Sequence, residues 1–293
     1  QQPDPALFQP GFLFAVVIGY TPSMKFRQFI CSAMLCLGLV SQVSAQTDLT
    51  QLRAQAIQQS LATHPQWINL VHYRANLYSS GYTSFADGQD FFLADEGKTD
   101  PEAELLATLD AMFQPPDSAA PDQHPQCRFI ARYHWLRDTL NIDDATLTPQ
   151  PCPAYTEWYT AINPASVVLV FPSAYINNPS SMFGHTLLRI DPPKSDRRTL
   201  LTSHSISYAA ETTEFNGLVF AIRGLSGGYA GYFSIQPYYE KVNEYRDLEN
   251  RDIWEYELNL DAREITRLMQ HTWELHKTAF DYYFLMRTVR SSY

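Results

Sequence analysis

The hydrophobic pattern changes period near Pro164. Before it, apolar residues recur every three or four positions, as on one face of a helix. Leu49, Leu52, Ala56, Ile57 and Leu61 form one such stripe, and Trp67, Leu70, Val71 and Leu77 continue the spacing after Pro65. Pro101 opens a further helix, with Glu102 and Glu104 in its first turn and Leu105, Leu106 and Leu109 behind them. Phe129, Tyr133, Leu136 and Leu140 mark another. Residues 48 to about 145 are therefore expected to be helical, with a Pro/Asp/Ala-rich loop from Phe113 to Pro125.

After Pro164 the pattern predicts strands. Ser166–Phe171 is a β-branched apolar run stopped by Pro172, and Thr186–Ile190, Leu200–Ala209 and Gly217–Ile222 are further candidates. Gly224–Gly231 has the composition of a glycine-rich link, and Tyr239–Arg251 that of a helix. Trp254–Leu260 alternates apolar and polar positions, as a half-buried antiparallel strand does. Asp261 followed by Glu264 is a capping-box pattern, opening a helix lined by Ile265, Leu268, Met269 and Leu275. Asp281–Tyr293 is expected to close that helical stretch. Helices first and an antiparallel sheet with flanking helices second is an α+β arrangement.

Composition narrows the function. The 293 residues are 45% hydrophobic and 14% aromatic, and the formal charge is −10. An acidic chain lacks the basic footprint of a nucleic-acid binder and the polybasic cluster of a membrane anchor. Met24–Arg27 is a positive start, Phe29–Val40 a short apolar run, and Val43-Ser-Ala45 a small-residue cleavage site. This predicts a signal peptide over 24–45 and export to the periplasm. The apolar run falls short of the ~20 residues of a membrane-spanning helix. Residues 1–23 are expected to be an upstream extension of a mis-assigned gene start. The remaining divisions are a helical domain over 46–160 and a second domain over 161–293.

Export leaves Cys127 and Cys152 as the mature cysteines, since Cys31 and Cys36 lie in the signal. An even pair in an oxidising compartment predicts a disulfide, worth roughly 3 kcal/mol on the chain-entropy model. The alternative, a catalytic thiol, lacks a nearby histidine placed as its base.

His185 follows a loop rich in Asn, Pro and Ser and precedes a strand, where a thiol enzyme would hold its general base. On local context alone, an ordinary surface or core histidine stands beside that reading.

Three stretches carry a longer resemblance: Phe171–Thr186, Gly224–Ser234 and Glu249–Leu260. They closely resemble the Lnb-type N-terminal periplasmic domain family, over about 120–293. That family looks like a circularly permuted NlpC/papain-like thiol fold, and lecithin retinol acyltransferase is a distant relative with the same His-before-Cys order. The preceding helical part resembles the region that accompanies the domain in proteobacterial members. The resemblance implies acyl transfer involving a lipoprotein or lipid acyl substrate at the membrane surface, with no cofactor and no metal. The histidine of the Phe-Gly-His-Thr motif carries over to His185 as general base. A tyrosine in an Asn-Tyr pair maps to Tyr208, although the pair here is Ser207-Tyr208. Tyr208 would orient the imidazole or line the acyl site; core packing is the other reading.

The nucleophile does not carry over. Where the family has Asn-Cys opening a helix, this chain has Arg287-Thr-Val-Arg290. A helix N-terminus lowers a thiol pKa and offers backbone donors to an oxyanion. One shifted reading frame over codons 287–290 gives Asn-Cys-Ser. A shifted frame or a truncation, leaving the fold incomplete at its C-terminus, fits the abrupt failure of the match; natural divergence is the alternative. The expected protein is of thiol acyltransferase type but inactive as written, or a non-catalytic envelope binding or scaffold protein.

Gly224-Leu-Ser-Gly-Gly228 also fits a serine-hydrolase elbow, with Ser226 as nucleophile, Asp252 or Asp261 as acid and His271 or His276 as base. His271 and His276 are five apart, the wrong spacing for a zinc helix, and are expected on a solvated face.

Overall fold

The computed structural model describes residues 48–173, 186–193, 203–210, 217–226, 228–243, 252–276 and 278–282. The described residues fall within one compact unit.

The helical part starts with α1 (residues 48–58) and α2 (Pro65–Leu70). It is less helical than its spacing predicts. α2 stops at Leu70, and His72 takes a left-handed conformation (φ 57°), which ends the helix. A short hairpin follows, β1 (Tyr73–Ala75) with β2 (Tyr82–Ser84). The stripe of Val71, Arg74 and Leu77 is thus no helix face, and Leu77 is exposed. α3 (Pro101–Met112) begins as the sequence indicates: Asp100 accepts from the Glu102 and Ala103 N–H groups, and Pro101 lies in the first turn. α4 (Pro125–Arg128), α5 (Ile130–Leu140) and α6 (Pro153–Ile162) complete this part. Its core gathers Trp67, Leu105, Leu109, Met112 and Leu136.

The second part is a six-stranded sheet: β3 (Ser166–Pro172), β4 (Leu187–Asp191), β5 (His204–Ala210), β6 (Tyr229–Pro237), β7 (Ile253–Leu258) and β8 (Ala279–Tyr282). The order is β7-β3-β4-β5-β6-β8, and every pairing is antiparallel. The α+β expectation holds.

Three local expectations are corrected. Gly217–Ile222 belongs to a helix, α7 (Gly217–Ser226), not to a strand. Tyr229–Gly231 opens β6 rather than ending a link. Ala279–Tyr282 is strand, so the segment after α9 (Ala262–Leu275) does not prolong that helix. The helix expected over Tyr239–Arg251 is described as α8 (Tyr238–Val242); residues 244–251 lie outside the described set.

Alternation divides the sheet's faces. Val167, Ile190, Ile206, Phe233 and Ile235 pack against Ile162 of α6 and Ile265 and Met269 of α9. On the opposite face Val168, Val170 and Leu187 pack against Tyr238. There Arg189 is bidentate on Asp191 (2.9 and 3.0 Å) and lies 2.7 Å from Glu255, whose Oε1 also accepts from Tyr238 (2.9 Å). This ties β4 to β7 and α8. Asp261 and Glu264 form the full capping box, which fixes where α9 starts.

The helical part also covers a sheet edge. Ala86 bridges Phe280 of β8, and the Asp87 N–H donates to the Ala279 carbonyl (2.8 Å). An edge strand otherwise presents unpaired backbone groups to solvent.

Candidate functional site

The register of the sheet gathers one end of it. Leu187, two residues after His185, pairs with Ser207. Ala210 pairs with Gly231, and Tyr229 with Tyr282, the last described residue before 283–293. The start of β4, the end of β5, the start of β6 and the end of β8 therefore share one edge. β4 and β8 are three strand spacings apart, about 14 Å. His185 itself and the 287–290 stretch lie outside the described residues.

Tyr208 is on β5, which lies between β4 and β8 in the sheet. It is half-buried, its ring 4.9 Å from Phe233 and edge-on to Phe280 at 6.3 Å. Gly231 lies beneath it. A Cβ at position 231 would come within 2.3 Å of the Tyr208 hydroxyl, so the missing side chain makes room for the ring. Phe233 also walls a groove of about 580 Å³ between β6, α6 and the end of α9, with Trp158, Trp273, Tyr232 and Ile235 around it.

Behind Phe280 lies a buried charged cluster that sequence spacing did not reveal. Arg132 of α5 is fully buried; its Nη1 lies 2.8 Å from Glu104 of α3 and its Nε 3.5 Å from Glu274 of α9. The Arg132 N–H donates to Glu274 Oε1 (2.8 Å), and the guanidinium sits over Phe91 and Phe129 (4.2 and 4.5 Å). Glu104 Oε2 accepts from the Leu93 and Ala94 N–H groups, both at 2.9 Å. His271 of α9 stacks on His72, and His72 meets Phe280 edge-on at 4.9 Å. Burial dominates the titration of this cluster. It raises Glu104 and pushes Glu274 up to about 7, with Arg132 opposing both shifts. It pushes His271 down to about 4, aided by Arg132, and lowers His72, aided by His271 and Arg132.

The alternative serine site is not assembled. Ser226 is exposed at the end of α7, its hydroxyl donating to the Arg223 carbonyl (3.3 Å). A helix precedes it and a strand follows, the reverse of a serine elbow. His271 is engaged with His72 and half-buried, with its Nδ1 out of solvent, rather than on a solvated face, whereas His276 is exposed. Asp261 caps α9, and Asp252 is exposed next to β7.

Cys127 and Cys152 form the expected disulfide, with Cα atoms 5.2 Å apart. It joins α4 to the start of α6, and Trp273 of α9 donates to the Cys127 carbonyl (2.9 Å).

Residues 154–287 match the family model of the Lnb N-terminal periplasmic domain. That span holds all six strands of the sheet, together with α6 and α9. Residues 59–139 match a second family model, Domain of unknown function (DUF7843). No curated protein and no solved structure matches the chain. The Lnb match supports the resemblance and a cell-envelope protein in the periplasm. Among the described residues no helix is long and apolar enough to cross a membrane, and no group of three His, Cys, Asp or Glu is arranged to hold a metal. The Arg132 cluster lies at the seam of the two matches: His72, Glu104 and Arg132 come from one, His271 and Glu274 from the other.

Proposed function

We propose that this protein is a periplasmic envelope protein on a thiol-acyltransferase scaffold, a permuted NlpC/papain-like fold, with His185 as general base. The observation that carries this reading is the sheet register, which brings the strand after His185 and the strand leading to residue 287 to one edge. Those are the positions of base and nucleophile in the family it resembles. Tyr208 lies on β5, between the two strands, and the apolar groove beyond Phe233 suits an acyl chain.

In the intact form, a cysteine thiolate adds to an ester or amide carbonyl and expels the alcohol or amine as a thioester forms. His185 takes the thiol proton and delivers it to the leaving group. A lipoprotein amine then attacks the thioester and regenerates the thiol. Backbone N–H groups at the helix start hold the oxyanion. Within residues 46–293 both cysteines are joined in the disulfide, so neither is free to serve as the nucleophile. That feature also favours a second reading, an envelope scaffold that keeps the groove for binding. A shifted frame near codon 287 is our account of the missing Asn-Cys.

The proposed organisation is a signal peptide over 24–45, cleaved after Ala45. A helical domain over 46–160 and the Lnb-type domain over 161–293 follow. Thr288→Asn, Val289→Cys and Arg290→Ser, made together with the downstream helix of the shifted frame, test the catalytic reading. The expected gain is acyl transfer that His185→Ala abolishes. Transfer that survives His185→Ala rejects it, and labelling by a fluorophosphonate would redirect attention to Ser226.

A further inference from the structure

A second groove, of about 350 Å³, opens on the helical side where α2, α5 and α9 meet. One wall comes from residues 59–139 and the other from 154–287, so neither matched span forms it alone. Its lining is unlike the apolar groove beside β6. Arg263 and Arg267 sit one turn apart on α9 and share a face. Both are exposed, and neither guanidinium has a hydrogen bond or ion pair among the described residues. Asp261, held low first by the Glu264 N–H, feels both arginines only as weaker contributions.

Gln270 is the second observation. It is 7% exposed and lines the groove, yet its amide has no hydrogen-bond partner among the described residues. Its amide is not among the buried polar groups left without a partner, so it reaches the solvent of the groove that it lines and can be used by a ligand there. Gln66 and His134 stand on the opposite wall, with Trp135 stacked on Trp67 behind them (5.6 Å). The acidic group in the lining is Asp138. Burial lowers His134, against the pull of Asp138, so it faces the groove as a neutral ring near pH 7. The fixed charge of the lining is thus two guanidiniums against one carboxylate, in a chain whose net charge is −10.

We propose that this groove binds the phosphate group of an anionic ligand, with Arg263 and Arg267 as charged forks and Gln270 as an amide donor. A planar carboxylate is satisfied by one arginine fork. Two forks and an amide at i, i+4 and i+7 of one helix face offer more donors than a single fork, as the several acceptor oxygens of a tetrahedral phosphate require. The groove has more room than an inorganic ion needs, which leaves space for the rest of a headgroup. This assignment is independent of the thiol reading.

The test uses the full chain after signal removal, with two probes: inorganic phosphate by calorimetry and phosphatidylglycerol vesicles by co-sedimentation. Saturable binding to either supports the proposal if Arg263→Gln with Arg267→Gln weakens it about tenfold or more and Arg53→Gln does not. Binding to phosphate identifies a soluble phosphorylated ligand, and binding to vesicles alone identifies a lipid headgroup. Gln270→Leu, which keeps the bulk of the side chain, should also weaken binding, and serves if the double variant does not fold. No saturable binding to either probe overturns the assignment, as does binding that Arg263, Arg267 and Gln270 variants leave unchanged.

Discussion

His72 and His271 lie with ring centroids 5.1 Å apart and their Nε2 atoms 3.2 Å apart. One imidazole donates and the other accepts, so the contact requires at least one neutral ring. His271 Nδ1 is buried and has no hydrogen-bond partner among the described residues. The pair joins the residues before the hairpin to α9, and Arg132 lies beside it.

This pair should make stability depend on acid. His271 falls from 6.5 to about 4, and His72 is lowered too. Between those pH values the unfolded chain binds more protons than the folded one. The contribution is full above pH 6.5 and is lost as pH falls toward 4. Glu274 acts in the opposite sense. Its rise from 4.5 to about 7 gives a contribution that is full below pH 4.5 and lost as pH rises through 7. His271→Phe should therefore reduce the loss of the urea midpoint between pH 7.5 and 5, and Glu274→Gln should deepen it. An unchanged pH profile in both variants would count against the cluster as drawn.

Arg132→Met should cost about 3–5 kcal/mol at pH 7, because it leaves Glu104 and Glu274 buried without their cation. Denaturant titration gives the number. A loss below about 1 kcal/mol would mean that the carboxylates find water or protons without difficulty.

Gly231→Ala tests the packing of Tyr208. Its Cβ would fall 2.3 Å from the phenol oxygen, so the ring has to move. Overpacking of this kind costs about 1–3 kcal/mol. In a Tyr208→Leu background the penalty should largely vanish. Additive effects in that double-mutant cycle would show that the two residues are not in contact.

Much of this fold was legible because local signals were strong. The capping box at Asp261 and Glu264 fixed the start of α9, and Asp100-Pro101 that of α3. The β-branched run at Ser166–Phe171 and the alternation after Ile253 gave β3 and β7. Gly217–Ile222 misled because a short apolar run with Val, Phe and Ile fits strand or helix alike, and periodicity alone does not separate them. Tyr229–Gly231 carried turn composition, yet Gly231 is small to admit the Tyr208 ring rather than to turn the chain. The stripe after Pro65 kept helical spacing through a hairpin, since His72 breaks the helix by conformation and not by residue type. The Arg132 cluster was invisible for another reason: Arg132 and Glu274 are 142 residues apart, and only the packing of α5 on α9 brings them together. At the candidate site, sequence supplied His185 and Tyr208 as candidates; the register shows only that the start of β4 and the end of β5 lie at one end of the sheet.

Free-thiol titration of the denatured, unreduced protein lacking residues 1–45 should find no thiol, since Cys127 and Cys152 are joined. Replacing both by serine opens a loop spanning a sequence separation of 25. The expected loss is about 3.5 kcal/mol on the chain-entropy model. Two titratable thiols would contradict both the bond and the oxidising compartment.

The central proposal is a thiol-enzyme site at the end of the sheet where β4 starts and β8 ends. The most direct measurement is the iodoacetamide reactivity of the chain carrying Thr288→Asn, Val289→Cys and Arg290→Ser with the downstream helix, followed against pH. The new thiol should react near neutral pH, well below the ordinary cysteine pKa of about 8.5, and His185→Ala should slow it about tenfold or more at pH 7. A thiol that titrates like free cysteine and is indifferent to His185→Ala would contradict the account.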